Sequence, residues 1–216
     1  NRVTWRASAV IIASGACNSP VGPKVASDLP DECRQLTPFD YTHATDMEEG
    51  GVLVVGASAT GRQLAHELLA HGRQVTVAAG EHVRMPRRYR GRDIFHWLSH
   101  CGIHDERYDE IDDVSRGRRL PSPQLVGSHE LPILDLNEIQ RAGGQVTGRL
   151  MGVRDNTLQF SGSLLNVCQL ADLKMQRLLK LIDETADAEH APPAEHFAPT
   201  AVDASPALTL DLDRHD

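Results

Sequence analysis

The eleven residues Gly51-Val-Leu-Val-Val-Gly-Ala-Ser-Ala-Thr-Gly61 constrain this chain more than any other stretch. Val52-Leu53-Val54-Val55 is a short apolar run, long enough for one buried strand and too short for a helix. Gly56 to Gly61 is a turn of small residues with a glycine at each end. From Arg62 to His71 the apolar positions change to helical spacing: Leu64, Ala65, Leu68 and Leu69 share one face, and Gly72 stops the run. Gln74-Val-Thr-Val-Ala-Ala79 then returns as a second strand. Strand, tight turn, helix and strand make a βαβ unit, whose two strands pair in parallel through a right-handed crossover. The expected fold class is therefore α/β, a Rossmann-like parallel sheet with flanking helices. Aromatic residues are only 4% of the chain, so the core must come from Leu, Val, Ile and Ala, as suits a sheet covered by helices.

The turn carries the first chemical expectation. Gly56-Ala57-Ser58-Ala59-Thr60-Gly61 is a variant of G-x-G-x-x-G with serine at the second glycine, placed between a strand and a helix as a dinucleotide site requires. Gly56 permits the tight turn, a small residue at 58 admits a pyrophosphate, and Gly61 lets the helix pack close to the strand. The free N–H groups and dipole of the helix start then favour an anion. Selection between nicotinamide cofactors falls just after the second strand, to a carboxylate for a ribose hydroxyl or an arginine for a 2′-phosphate. Both are present: Glu81 lies 20 residues beyond Gly61, and Arg84, Arg87 and Arg88 follow it. Guanidinium forks suit a phosphate dianion, so the expected cofactor is NADPH, with Arg84 and either Arg87 or Arg88 on its 2′-phosphate. Arg90 and Arg92 read as a solvated face offset by the acids of 105–113.

Four segments organise the chain: 1–17, a strand from Val3 to Ile12 running into Ser14-Gly15; 18–50, a connection with four prolines; 51–186, the dinucleotide-binding domain; and 187–216, a linker with the start of a returning strand at Leu208, Leu210 and Leu212. Within the domain, 84–119 reads as a surface insertion with one short helix near Ile94 to His100. Asp135 to Ala142 reads as a helix closed by Gly143-Gly144, and Gln145 to Phe160 as a two-stranded hairpin turning at Asp155-Asn156. Leu165 to Ala186 is the longest helix. The linker, rich in Ala, Pro, His and acids, is expected to bury little surface.

Charge and spacing exclude several function classes. With 22 Lys and Arg against 30 Asp and Glu, the net charge of −8 argues against nucleic acid as a partner. No apolar run approaches the length of about 18 to 20 residues that crosses a bilayer. A soluble, cytoplasmic protein is expected, with a homo-oligomer left open. Cys17, Cys33, Cys101 and Cys168 form no CxxC pair and are expected as reduced thiols. His96, His100 and His104 recur at helical spacing, but Gly102 interrupts the helix, so they read as surface histidines and no metal site is expected. Ser58 lacks the second glycine of a nucleophile elbow. No general acid, base or nucleophile stands out.

In its order of motifs the chain resembles the central part of flavin-containing monooxygenase-like flavoproteins. Ala13-Ser14-Gly15 resembles the A-T-G that closes a strand of their FAD domain, and Gly56-x-Ser58-x-x-Gly61 matches their NADPH motif. Arg87-Arg88-Tyr89-Arg90-Gly91-Arg92-Asp93 and 119–127 are similar to a bacterial branch of NAD(P)H-dependent flavoproteins. The resemblance covers most of residues 7–185. It implies FAD as a second cofactor, with Ser14 and Gly15 lining the flavin side. It also implies hydride delivery from NADPH to flavin, followed by oxygen activation in the monooxygenases. No FAD fingerprint occurs in the sequence, so the resemblance implies a flavin domain supplied by sequence outside it. Where the monooxygenases carry a His-Ser segment, this chain has Gln35-Leu36-Thr37-Pro38. The alternative reading is a dinucleotide-binding sensor or regulatory module without flavin chemistry.

Overall fold

The computed structural model describes residues 4, 6–12, 19–125, 133–186 and 192–213. At its centre lies the βαβ unit. Val52–Val55 forms β1, Ala59–Ala70 forms α1 and Val75–Ala79 forms β2. β1 and β2 pair in parallel, from Val52 opposite Val75 to Val55 opposite Ala78. α1 buries Ala65 and Leu68, with Leu69 partly buried behind them, and the chain leaves it through Gly72 at a φ of 76°, where a Cβ would be strained.

Past β2 the chain makes an excursion before returning to the sheet. It holds a small hairpin, β3 (Arg88–Tyr89) with β4 (Arg92–Asp93), then helix α2 (Ile94–His100) and a single turn α3 (Val114–Gly117). Asp93 starts α2 by accepting the Phe95 N–H at 2.9 Å, and Gly102, at a φ of 72°, follows its end. Helix α4 (Leu136–Arg141) is capped by Asp135, which accepts the Glu138 N–H at 3.1 Å. It feeds β5 (Gln145–Gly148), which pairs in parallel with β2, so the sheet order is β1-β2-β5. A hairpin of β6 (Leu150–Arg154) and β7 (Thr157–Phe160) turns at Asp155 and Asn156, both at positive φ, as a two-residue hairpin requires. Helix α5 spans Leu164–Thr185, and β8 (Thr209–Asp211) adds to β7 antiparallel.

The core follows from these faces. Ala65 and Leu68 of α1, Val75, Val77 and Ala79 of β2, Leu136 and Ile139 of α4, and Leu164 and Cys168 of α5 form one apolar cluster without a buried aromatic ring. Trp97 and Tyr89 join Met175, Leu179 and Ile182 of α5 in a second cluster under the excursion. Burial, followed by the nearby Asp172 carboxylate, pushes the Cys168 thiol up to about 12.

Two expectations need correction. Residues 145–160 are not one hairpin: the first four join β2 and only the rest pair with each other. Alternation is the same for both pairings, and Gly148 separates them, because a Cβ there would lie 1.8 Å from the Ser161 carbonyl oxygen. That close approach lets the chain leave the parallel sheet and fold back at once. Second, no strand forms among residues 4 and 6–12, and Val10, Ile11 and Ile12 are 83%, 89% and 88% exposed. An apolar run becomes a buried strand only beside a partner, and no described strand pairs with it. Residues 192–207 bury little surface, as their composition predicts, and are tied to the domain by polar bonds. Thr200 donates from its N–H to Asp172 at 2.7 Å and from its hydroxyl at 2.8 Å. Asn137 donates to the Pro199 carbonyl at 3.0 Å and accepts the Ala201 N–H at 2.7 Å. Composition carries no sign of these bonds, because the segment is held by polar groups of the domain and not by its own apolar surface.

Candidate functional site

The glycine turn has the geometry its spacing predicts. Gly56 ends β1 at a φ of 115°, with its N–H on the Ala78 carbonyl at 3.0 Å. A Cβ on Gly61 would lie 2.1 Å from the Gly56 carbonyl oxygen and 3.1 Å from its carbonyl carbon, so only glycine lets α1 start this close to the strand. Ser58 is the N-cap residue, and its carbonyl accepts the Arg62 N–H at 3.2 Å. Its side chain makes no capping bond, and no acid sits in the first turn. The N–H groups of Ala59, Thr60 and Gly61 are thus left without a side-chain cap, in a turn that presents partial positive charge. Ala57 is buried at the base of the turn.

The residues expected to choose the cofactor are scattered. Glu81 is exposed and paired with Lys174 of α5 at 3.1 Å. Arg84 does not reach the surface: its guanidinium is 2% exposed, with Nε on Asp135 at 2.9 Å and Nη1 on Asp172 at 2.7 Å. Both carboxylates also serve the fold, Asp135 as the cap of α4 and Asp172 as the anchor of Thr200. Arg84 therefore holds the interior together, a correction to its expected place on a ligand. Arg87 is paired with Asp93 at 2.7 Å and lies over the Phe95 ring. Arg88 is exposed and has no ion-pair partner among the described residues. Arg90 pairs with Asp183 at 2.7 Å, and Glu195 accepts its backbone N–H, so its acids come from α5 and residue 195 and not from 105–113. Ser14, Gly15 and Cys17 lie outside the described residues. The His96 and His100 rings stack at 6.0 Å, and His104 contacts Ser99 instead; among the described residues no three His, Cys, Asp or Glu side chains gather around a point.

A set of residues not singled out by sequence surrounds the turn. Arg62, in the first turn of α1, is 0% exposed and folds back so that its Nε donates to the Ala57 carbonyl at 3.1 Å. Gln124, 1% exposed, donates to the same carbonyl at 2.7 Å. His82, 2% exposed, lies just past β2 with Nδ1 on the Gly80 carbonyl at 2.9 Å, which requires the proton on Nδ1. Both terminal amines of Arg62, Nε2 of His82 and Oε1 of Gln124 are buried without a partner among the described residues. Burial pulls the Arg62 pKa down to about 9, with Asp135 acting in the opposite direction, so the group stays charged at neutral pH. Burial likewise lowers the His82 pKa, ahead of the Arg62 field. The signal was present in the spacing: positions 62, 65 and 68 form one stripe of α1, which puts an arginine on the buried face.

No helix among the described residues is long and apolar enough to cross a membrane. No protein-family model matches the chain, and no solved structure does. Curated relatives do. The chain is 33% identical over 104 residues to a protein of Geobacillus kaustophilus named an uncharacterized CzcO-like oxidoreductase. It is 30% identical over 103 residues to the uncharacterized oxidoreductase CzcO of Bacillus subtilis, and 29% over 103 residues to that of Bacillus velezensis. Each match takes in 48% of this chain and 30% of the relative, so the chain spans less than a third of the proteins it resembles.

Proposed function

We propose that this chain is the NADPH-binding portion of an FAD-dependent, monooxygenase-like oxidoreductase, and that it holds the nicotinamide dinucleotide on the start of α1. One observation carries the reading: the contact between Gly61 and the Gly56 carbonyl, a cradle that a single Cβ would fill, at the junction of a parallel βαβ unit. A chance turn of small residues has no need of that approach. The similarity to proteins named as oxidoreductases supports the same class of chemistry.

In this reading the turn binds and orients. Ala59, Thr60 and Gly61 offer backbone N–H groups to a pyrophosphate, and the Ser58 hydroxyl, free of a capping bond, is available to a phosphate oxygen. Ala57 keeps the turn thin. The bound cofactor supplies hydride, which passes to a flavin held largely by sequence outside this chain. Arg88, exposed and without an ion-pair partner among the described residues, is able to meet an anionic group of the ligand or of a flavin-bearing partner.

Calorimetric titration of the chain with NADPH and with NADH tests the reading. Saturable, salt-sensitive binding of a dinucleotide is expected; if neither cofactor binds, the turn is a packing device and the proposal falls.

A further inference from the structure

The interior next to the glycine turn holds an arginine whose terminal amines have no hydrogen-bond partner among the described residues. Among the described residues, four of the five buried side-chain polar atoms without a partner belong to Arg62, His82 and Gln124. Leaving such groups dry is costly, and a charged group more so than a neutral one. Their position is specific. Arg62 and Gln124 meet at the Ala57 carbonyl, inside the turn, while His82 follows the end of β2 and Gln124 lies against Val83 through a backbone bond of 2.8 Å. The cluster thus spans from the turn to the segment after the second strand. In a dinucleotide-binding βαβ unit that is where the ribose 2′-substituent of the adenosine sits.

We propose that Arg62 receives the 2′-phosphate of a 2′-phosphoadenosine nucleotide, and so selects the phosphate-bearing cofactor in place of Arg84. The inference rests on the dinucleotide reading above and deepens it. A guanidinium offers two parallel N–H donors from its terminal amines, the arrangement that matches two oxygens of a phosphate. Arg84 cannot do this while Asp135 and Asp172 occupy its fork. Arg62 keeps only Nε engaged, and that bond aims its fork from the turn.

Gln124, which shares the Ala57 carbonyl with Arg62, belongs to the segment Pro121–Leu125. Three hydrogen bonds hold that segment: Gln124 Nε2 on the Ala57 carbonyl at 2.7 Å, the Gln124 N–H on the Val83 carbonyl at 2.8 Å, and Gln63 Nε2 on the Leu125 carbonyl at 3.3 Å. Ser122 and Pro123 of that segment are exposed. A phosphate that displaces the Gln124 side chain gains the unpartnered fork at the cost of the Gln124 Nε2 bond to the Ala57 carbonyl, and Gln124 Oε1 loses no bond in moving.

The test uses small probes in place of the whole cofactor: adenosine 2′,5′-bisphosphate and 5′-AMP, titrated into the whole chain and into Arg62→Met. The native chain is expected to prefer the 2′-phosphorylated probe by about tenfold or more, the scale of charge-assisted hydrogen bonds. In Arg62→Met that preference should vanish, the ratio of the two probes' affinities falling to about one. Arg62→Lys, which keeps the charge and loses the fork, should retain only part of it, and answers the question if the methionine variant fails to fold. A preference that survives both substitutions, or one absent from the native chain, overturns the assignment. If 5′-AMP, NADPH and NADH all fail to bind, the dinucleotide reading itself is wrong and the assignment goes with it.

Discussion

Replacing Gly61 with alanine places the whole site under one measurable load. The added Cβ would stand 2.1 Å from the Gly56 carbonyl oxygen, 3.1 Å from its carbonyl carbon and 3.4 Å from Val54 Cγ1. Carbon and oxygen settle at about 3.3 Å, so α1 and the turn must separate by about 1.2 Å. Neither side yields easily. The turn is tied to β2 through the Gly56 N–H on Ala78, and α1 is seated by Ala65 and Leu68 in the core. Overpacking of this kind costs about 1–3 kcal/mol, which for a chain of this size lowers Tm by about 2–12 °C. The same displacement swings the N–H groups of residues 59–61 away from a bound pyrophosphate, and the affinity for NADPH should fall about tenfold or more. Thermal melting and calorimetric titration read the two effects separately. Gly51→Ala is the control, because a Cβ there meets nothing within 4 Å. Native melting and native affinity in Gly61→Ala would refute the contact. Lower melting with unchanged affinity would refute the ligand site and leave the packing intact.

Arg84→Ala is expected to cost about 3–5 kcal/mol in denaturant melts, since it strands two buried carboxylates. Glu81→Ala, which breaks an exposed pair, should shift stability by about 1 kcal/mol or less; near-equal losses in the two variants would contradict the buried network. His82 makes a pH signature. Burial holds its pKa below the ordinary 6.5, so the unfolded chain takes up the proton first as pH falls. Stability present above that value is therefore lost as pH drops below about 6.5 toward the folded pKa, at up to about 1.4 kcal/mol per pH unit. Urea melts across this window should show the slope in the native chain and a shallower one in His82→Gln, and parallel profiles would count against it.

The elements that recur at clean spacing were legible from sequence. The strand at 52–55, the helix after it, the short helix at 94–100 and the long helix from 164 all lie where periodicity puts them, because each buries one face and the period records that face. Partner choice was not legible. Residues 145–148 alternate equally well as a hairpin arm or as a third parallel strand, and only the Gly148 contact with Ser161 distinguishes the two. The site divides in the same way. Gly56 and Gly61 announce themselves, since their conformation and close approach admit little else. A run of arginines, by contrast, carries no record of its acids: Asp135 and Asp172 lie 51 and 88 residues from Arg84, and claim it. Arg62 was hidden for the opposite reason, a charged residue inside an apolar stripe that reads as a surface position until its neighbours are seen.

The central claim, that a dinucleotide rests on the start of α1, is tested most directly by amide chemical shifts in a 15N-labelled chain titrated with NADPH. The largest changes are predicted at Ala57 to Arg62, with a second group at Gly80 to Val83 and at Gln124, and β6, β7 and β8 silent. Saturable binding that leaves Ala57 to Arg62 unmoved, or shifts confined to the exposed hairpin around Arg88, would contradict it.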